Sequence, residues 1–256
     1  MSKWAVVTGA TAGIGESFTR ILAHDGFNIV LVARDLERMK ERAAHLESQF
    51  KVQTAIIQAD LATDDGCAKV EQYLRENQIE VLINNAGFGI NKAFSVSDIN
   101  SEQQLLDVLV RTPMRLMHTV LPQMKDRNSG SIINVSSVAG WIAGGTYSAS
   151  KSYLTVLSES LHTEMSGTAI KISALCPGFT RTEFHERGRM RMNGLPEFMW
   201  LSADRVVIQA WKENQNGKVL SVPGWQYLIL STVSRFGPRP LVRKLGMNVR
   251  VRQRQK

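Results

Sequence analysis

At 256 residues, 43 % of them hydrophobic, the chain is long enough to bury a sizeable core yet stays within the span that one α/β domain commonly fills. Two cysteines, Cys67 and Cys176, are too few and too far apart for a disulfide framework and point to a reducing compartment. The formal charge of +8 does not call for a nucleic-acid partner, because much of the excess sits in a basic tail at Arg235, Arg239, Arg243, Lys244, Arg250, Arg252, Arg254 and Lys256.

No apolar run approaches the roughly 18 residues that would cross a bilayer. The N-terminal MSKWAVVTGA enters a strand-like run almost at once, without the hydrophobic stretch of a signal peptide, so a cytoplasmic protein is expected. The five histidines (His24, His45, His118, His162 and His185) have no metal-ligand spacing, and no metal is expected.

Short apolar runs at 4–8, 28–33, 53–58, 80–85, 131–136, 169–175 and 218–222 alternate with longer amphipathic segments. Such β-branched runs without polar alternation fit strands buried on both faces, with helical crossovers between them. The expected fold is a doubly wound, Rossmann-like parallel α/β sheet in a single domain.

The first run leads into TGATAGIGESF, where Thr8, Gly9, Gly13 and Gly15 bracket a turn that opens a helix. Glycines let a backbone approach a pyrophosphate, and a helix N-terminus offers it free N–H groups. The second run ends in LVARDLER. No acid closes the strand, and Arg34 follows Ala33 at once, which favours the extra phosphate of NADP over the bare ribose of NAD. Asp35 competes as an acidic reader but is well placed to cap the helix that follows.

Residues 99–127 read as one long helix with Leu105, Leu109, Leu116 and Leu121 along it. In TYSASKSYL, Tyr147 and Lys151 stand four apart, so on a helix they share a face and the ammonium would favour the ionised phenol. An exposed polar helix face is the alternative. Ser202 opens a further helix over 202–215. From Pro223 the pattern breaks into WQYLILSTV and then Arg- and Pro-rich sequence. Residues 1–222 are therefore assigned to a dinucleotide-binding catalytic domain with a substrate lid at about 179–201, and 223–256 to a basic appendage. Folding is expected over 223–245 and a solvated end after it, with contact of its basic residues to anionic lipid as a further reading.

Together, Thr8-Gly9-x-x-x-Gly13-Ile14-Gly15, Asp60 in ADL, Asn84-Asn85-Ala86-Gly87, Ser136-Ser137, Tyr147-x-x-x-Lys151 and Pro177-Gly178 with Thr182 resemble the short-chain dehydrogenase/reductase superfamily over about residues 3–222. The resemblance implies that Ser137 hydrogen-bonds a substrate carbonyl, Tyr147 is the general acid/base, and Lys151 lowers its pKa and holds the nicotinamide ribose. It implies cofactor contacts at Gly9, Thr11, Gly13, Ile14, Gly15, Arg34, Asp60, Leu61, Asn85, Ala86, Gly87, Tyr147, Lys151, Pro177, Gly178 and Thr182. Asp60 would meet the adenine, Asn85 and Gly87 the ribose, and Thr182 the nicotinamide amide. Asn84 and Asn85 have an alternative structural role in tying strands together. A homo-oligomer, dimer or tetramer, paired through the helices holding Leu109 and Tyr147, is implied in the same way.

Two positions depart from the pattern. Leu109 stands where the family usually places an Asn that holds a proton-relaying water, and the stretch VAGWIAGGT between Ser137 and Tyr147 is about three residues short. The expected substrate cover carries Phe88, Trp141, Ile142, Phe184, Met190, Met192, Leu195, Phe198, Met199 and Trp200. Of these, Phe88, Trp141 and Phe184 are the chosen substrate contacts, although such residues can also fill a lid's own core. Apolar walls suit a lipophilic or aromatic carbonyl or alcohol. The function expected is an NADPH-dependent oxidoreductase acting on such a small molecule. The alternative is a low-turnover NADP(H)-binding protein of the same fold, serving as a redox sensor or partner.

Overall fold

Seven strands line up in parallel: β1 (Trp4–Thr8), β2 (Asn28–Ala33), β3 (Thr54–Gln58), β4 (Ile79–Asn84), β5 (Gly130–Val135), β6 (Ile170–Leu175) and, beyond a lid, β9 (Leu220–Ser221), in the order β3-β2-β1-β4-β5-β6-β9. A computed structural model describes residues 3–188, 195–240 and 242–243. Each strand falls within two residues of its sequence-predicted run. A two-residue parallel pair, β7 (Thr180–Arg181) with β8 (Leu201–Ser202), ties together the base of the lid segment.

Alternating side chains feed two cores, because successive residues of a strand point to opposite faces. Ala5, Val7, Ile29 and Leu31 pack with α1 (Gly13–His24), α2 (Leu36–Phe50) and α8 (Ala203–Gln215). Val6, Val30, Val32 and Leu82 pack with α3 (Asp64–Glu76), α5 (Thr112–Arg127) and α6 (Thr146–Glu164). Helix starts follow local chemistry: Asp35 accepts from the Arg38 N–H at 3.0 Å, and Thr63 and Ser202 cap α3 and α8.

The segment expected as one helix over 99–127 is not continuous. It runs as α4 (Ile99–Leu106), a π-helical turn at Asp107–Arg111, and then α5. The turn carries Leu109, which is 1 % exposed. A π-turn widens the helix by one residue per turn and is a common accommodation beside functional sites; the leucine pattern of the segment does not reveal it. Two further helices form within the lid and the appendage: a single turn, α7 (Phe184–Arg187), and α9 (Trp225–Phe236). The latter inserts Tyr227 into the first core, fully buried.

The chain reverses direction across the sheet between β1 and β4, and Asn84-Asn85 clasp this junction. The Asn84 amide donates to Asn134 Oδ1 at 2.8 Å, and Asn134 donates to Ser158 Oγ on α6 at 2.9 Å. Asn85 donates to the Thr8 and Gly9 carbonyls at 2.9 and 3.1 Å. Asn134 is fully buried, so its loss strands the Asn84 amide. Asn134→Ala should lower the unfolding free energy by about 1–3 kcal/mol. Urea titration followed by circular dichroism checks this, and an unchanged midpoint would remove the clasp from the account.

Candidate active site

One cleft of about 1000 Å³ runs along the C-terminal strand edges at the β1/β4 junction, where ligands bind in sheets of this kind. At its phosphate end, Gly9 and Gly13 adopt φ of +64° and +57°. A Cβ on Gly13 would meet the Thr182 methyl at 2.7 Å, so the lid base closes directly over the glycine turn. α1 begins on Ala12 with no side-chain cap, whereas α2, α3, α4 and α8 each have one. Its first N–H groups are thus left facing a cradle that a Cβ would fill, which fits the pyrophosphate of a dinucleotide.

Arg34 is exposed and lines the cleft beside Asp35. Asp35 caps α2, as its position in the sequence suggests. Asp60 also lines the cleft, accepting from the Ala62 N–H at 3.1 Å.

At the other end, β5 runs into Ser136-Ser137. Ser136 is buried and bonds the Lys151 carbonyl and Thr155, each at 2.7 Å, so it docks α6 onto the strand. Ser137 faces the cleft and accepts from the Ala139 N–H at 3.1 Å, opening a 3-10 turn over Val138–Trp141. The short connection to Tyr147 works through glycine: a Cβ on Gly140 would press on the α6 backbone at 3.0 Å, and one on Gly144 would reach Ser148 Oγ at 2.3 Å.

Tyr147 and Lys151 stand on the first turns of α6, with the Lys151 ammonium 5.7 Å from the Tyr147 ring centre. Lys151 is 4 % exposed and donates to the Val135 carbonyl at 2.6 Å. Burial pulls its pKa down to about 8. Burial also pushes the Tyr147 phenol up to about 12, with a hydrogen bond to Ser137 acting in the opposite sense. The sequence expectation that Lys151 lowers the Tyr147 pKa is therefore not what the chain alone does. Desolvation dominates for both groups, and it favours a neutral phenol.

Gly9, Thr11, Gly13, Ile14, Arg34, Asp60, Leu61, Asn85, Ala86, Gly87, Ser137, Tyr147, Lys151, Pro177, Gly178, Thr182, Phe88 and Phe184 all line this cleft. Gly15 does not. It sits behind the turn, where a Cβ would come within 2.2 Å of the Gly9 carbonyl, so its smallness serves packing. Trp141 does not line the cleft either: it lies under the Arg235 guanidinium at 5.5 Å, and Ile142 lines the wall instead. Leu195, Phe198, Met199 and Trp200 do not line the cleft either, and Phe198 is largely exposed. Met190 and Met192 lie outside the described residues.

Three contributions to the site were not visible in the sequence. Tyr227 lies against Gly178, where a Cβ would fall 2.0 Å from the ring, and its hydroxyl accepts from the Phe179 N–H at 2.9 Å. Leu230, Ser231 and Ser234 of α9 continue the same wall. Arg38 and Arg187 both grip Glu183, which lines the cleft, and hold its carboxyl down to about 2. Only the amphipathic pattern of 225–236 could have hinted at any of these.

Residues 3–192 match the family described as short chain dehydrogenase. The chain belongs to this family. It is 30 % identical to the very-long-chain 3-oxoacyl-CoA reductase-A of Danio rerio, over 99 % of this chain and 80 % of that one. A short-chain dehydrogenase from Sphingobium yanoikuyae in complex with NADPH superposes with a TM-score of 0.83 at 30 % identity, covering 99 % of this chain and 98 % of the other. The bulky-bulky ketone specific alcohol dehydrogenase of Comamonas testosteroni gives 0.79 at 32 % identity, covering 90 % and 92 %. This short-chain dehydrogenase is thus an NAD(P)-dependent oxidoreductase, and its α9 wall lies beyond the matched residues.

The depressed Lys151 pKa has a measurable consequence. Between about pH 8 and its usual 10.5, the native state has shed a proton that the unfolded chain keeps, so this group makes stability rise with pH there. Lys151→Met should lack that rise. Urea unfolding of both proteins from pH 7 to pH 10 should show the difference moving in favour of the wild type above pH 8, whereas a constant difference would mean Lys151 is not held in this state.

Proposed function

We propose that this short-chain dehydrogenase reduces lipophilic or aromatic carbonyls with NADPH, and that Tyr147 is the proton donor. The observation carrying this reading is the convergence of Ser137, Tyr147 and Lys151 on the same cleft as the uncapped α1 turn. The bound nicotinamide cofactor supplies the hydride. Ser137 donates a hydrogen bond to the substrate oxygen, and Tyr147, kept protonated by burial, hands it a proton. Lys151 refills the tyrosinate. With the ammonium near 8 and the phenol near 12, that transfer runs downhill.

NADP is preferred in this reading because Arg34 stands exposed at the cleft wall while Asp35 is engaged as a cap. The carbonyl preference is supported by the apolar wall of Phe88, Ile142, Phe179, Phe184 and Leu230. A 3-oxoacyl-CoA reductase and a bulky-bulky ketone specific alcohol dehydrogenase among its relatives point the same way. We further propose a homo-oligomer built on α4–α6, where Ile99, Met114, Tyr153 and Val156 are exposed.

A low-turnover binding protein is the second reading, and Leu109 favours it. Leu109 lies against Gly87, whose Cβ would meet its methyl at 2.8 Å and the Lys151 ammonium at 3.9 Å. An apolar side chain there cannot hold a water for the proton path. Leu109→Asn should raise turnover at matched folded fraction if the relay is interrupted; a fall accompanied by lost stability would assign Leu109 to packing.

Tyr147→Phe should reduce turnover of a lipophilic ketone by about 10²-fold or more while NADPH still binds. Fluorescence titration with initial-rate assays checks both halves, and full activity would end the mechanism. Arg34→Ala should weaken NADPH about tenfold or more, the loss of a charge-assisted contact of roughly 1.5–3 kcal/mol. NADH binding should be nearly unchanged, and equal losses for both cofactors would remove Arg34 as the phosphate reader.

A further inference from the structure

Helix α9 has its faces arranged contrary to an ordinary surface helix. Its inner side carries Tyr227, Ser231 and Ser234, all buried. At about 3.6 residues per turn, Trp225, Leu228, Ile229, Val233 and Phe236 fall on the opposite side. All five are exposed, Trp225 to 70 % and Phe236 to 79 %. A helix on a protein surface normally turns polar and charged residues outward. Here the outward arc is apolar except for Thr232, and Arg235 at its border is paired with Glu159 at 3.6 Å.

Charge of one sign accompanies this arc. After Glu213 the chain carries nine Lys or Arg and no Asp or Glu. Among the described residues, Arg239 and Arg243 are both exposed just beyond the helix. A wide apolar arc that includes a tryptophan, followed by uncompensated cationic residues, is the composition of helices that lie in the headgroup layer of an anionic bilayer. A second copy docking on the same face would bring two such cationic segments together, and their repulsion opposes that occupant. Twelve residues are too few to cross a membrane, and no helix among those described is long and apolar enough to do so.

We propose that α9 is a membrane-docking element, with Trp225, Ile229 and Phe236 entering the acyl boundary of an anionic bilayer and the arginines after it meeting lipid phosphates. The inner side of the helix lines the cleft through Leu230, Ser231 and Ser234. On the reading that the substrate is lipophilic, docking therefore sets the cleft wall beside the phase in which such a substrate dissolves.

The full chain should sediment with phosphatidylcholine vesicles containing phosphatidylserine at least about tenfold more strongly than with phosphatidylcholine alone, and lose that preference in high salt. Ile229→Glu should weaken partitioning about tenfold or more, and Arg239→Glu with Arg243→Glu should abolish the preference for anionic vesicles. Both should keep the wild-type urea midpoint, since the altered side chains are exposed. No partitioning of the wild type, or partitioning equal in the wild type and Ile229→Glu, would overturn the proposal. A wild-type dimer that Ile229→Glu dissociates in sedimentation velocity would also overturn it, by showing that a second copy covers the face. Vesicle binding is read without turnover, so failure here is distinct from failure of the reductase reading.

Discussion

The site depends on one buried cation. Lys151 lies almost wholly out of water with its ammonium on the Val135 carbonyl, at the edge where β5 ends. A buried charge persists only where donors and acceptors surround it. The neighbouring structure fixes where that cation sits: Ser136 and Thr155 hold the Lys151 backbone carbonyl, Asn134 binds Ser158 further along α6, and Gly87 leaves room beside the ammonium. Docking α6 in this way carries Tyr147 to the same edge as Ser137. Burial at this edge moves two titrations in opposite directions, Lys151 downward and Tyr147 upward.

The opposite end of the cleft rests on backbone rather than side-chain chemistry. The order β3-β2-β1-β4 places the switch in strand order next to the glycine turn, and Thr8 secures it by accepting from the Asn85 and Ala86 N–H groups at 2.9 and 3.0 Å. Thr182 then covers Gly13 from the lid, while Arg38, on the first turn of α2, holds Glu183. Parts of the molecule distant in sequence, the first turn and the lid, thus meet across the space a dinucleotide would fill.

Buried parallel strands were legible because their apolar runs are unbroken, and the glycine turn and the Tyr147–Lys151 spacing were legible because each is local. What could not be read is non-local. Trp141 looks like a substrate contact from its position after Ser137, but a residue more than ninety positions away, Arg235, draws it against α9. Gly178 looks like a cofactor residue, yet its smallness is demanded by the Tyr227 ring. The π-turn at Asp107–Arg111, which carries Leu109, leaves no mark in the leucine pattern. The upward pull of burial on the Tyr147 phenol is non-local too: a Lys four residues away is visible in a sequence and the surrounding desolvation is not.

Hydride delivery to a carbonyl in this cleft is the central claim. It is tested most directly by incubating the wild-type protein with a lipophilic aromatic ketone and NADPH deuterated at the transferring position of nicotinamide C4, then weighing the alcohol by mass spectrometry. The expected alcohol is one mass unit heavier, with deuterium on the former carbonyl carbon. Cofactor that binds but yields no labelled alcohol across a panel of such ketones would contradict it.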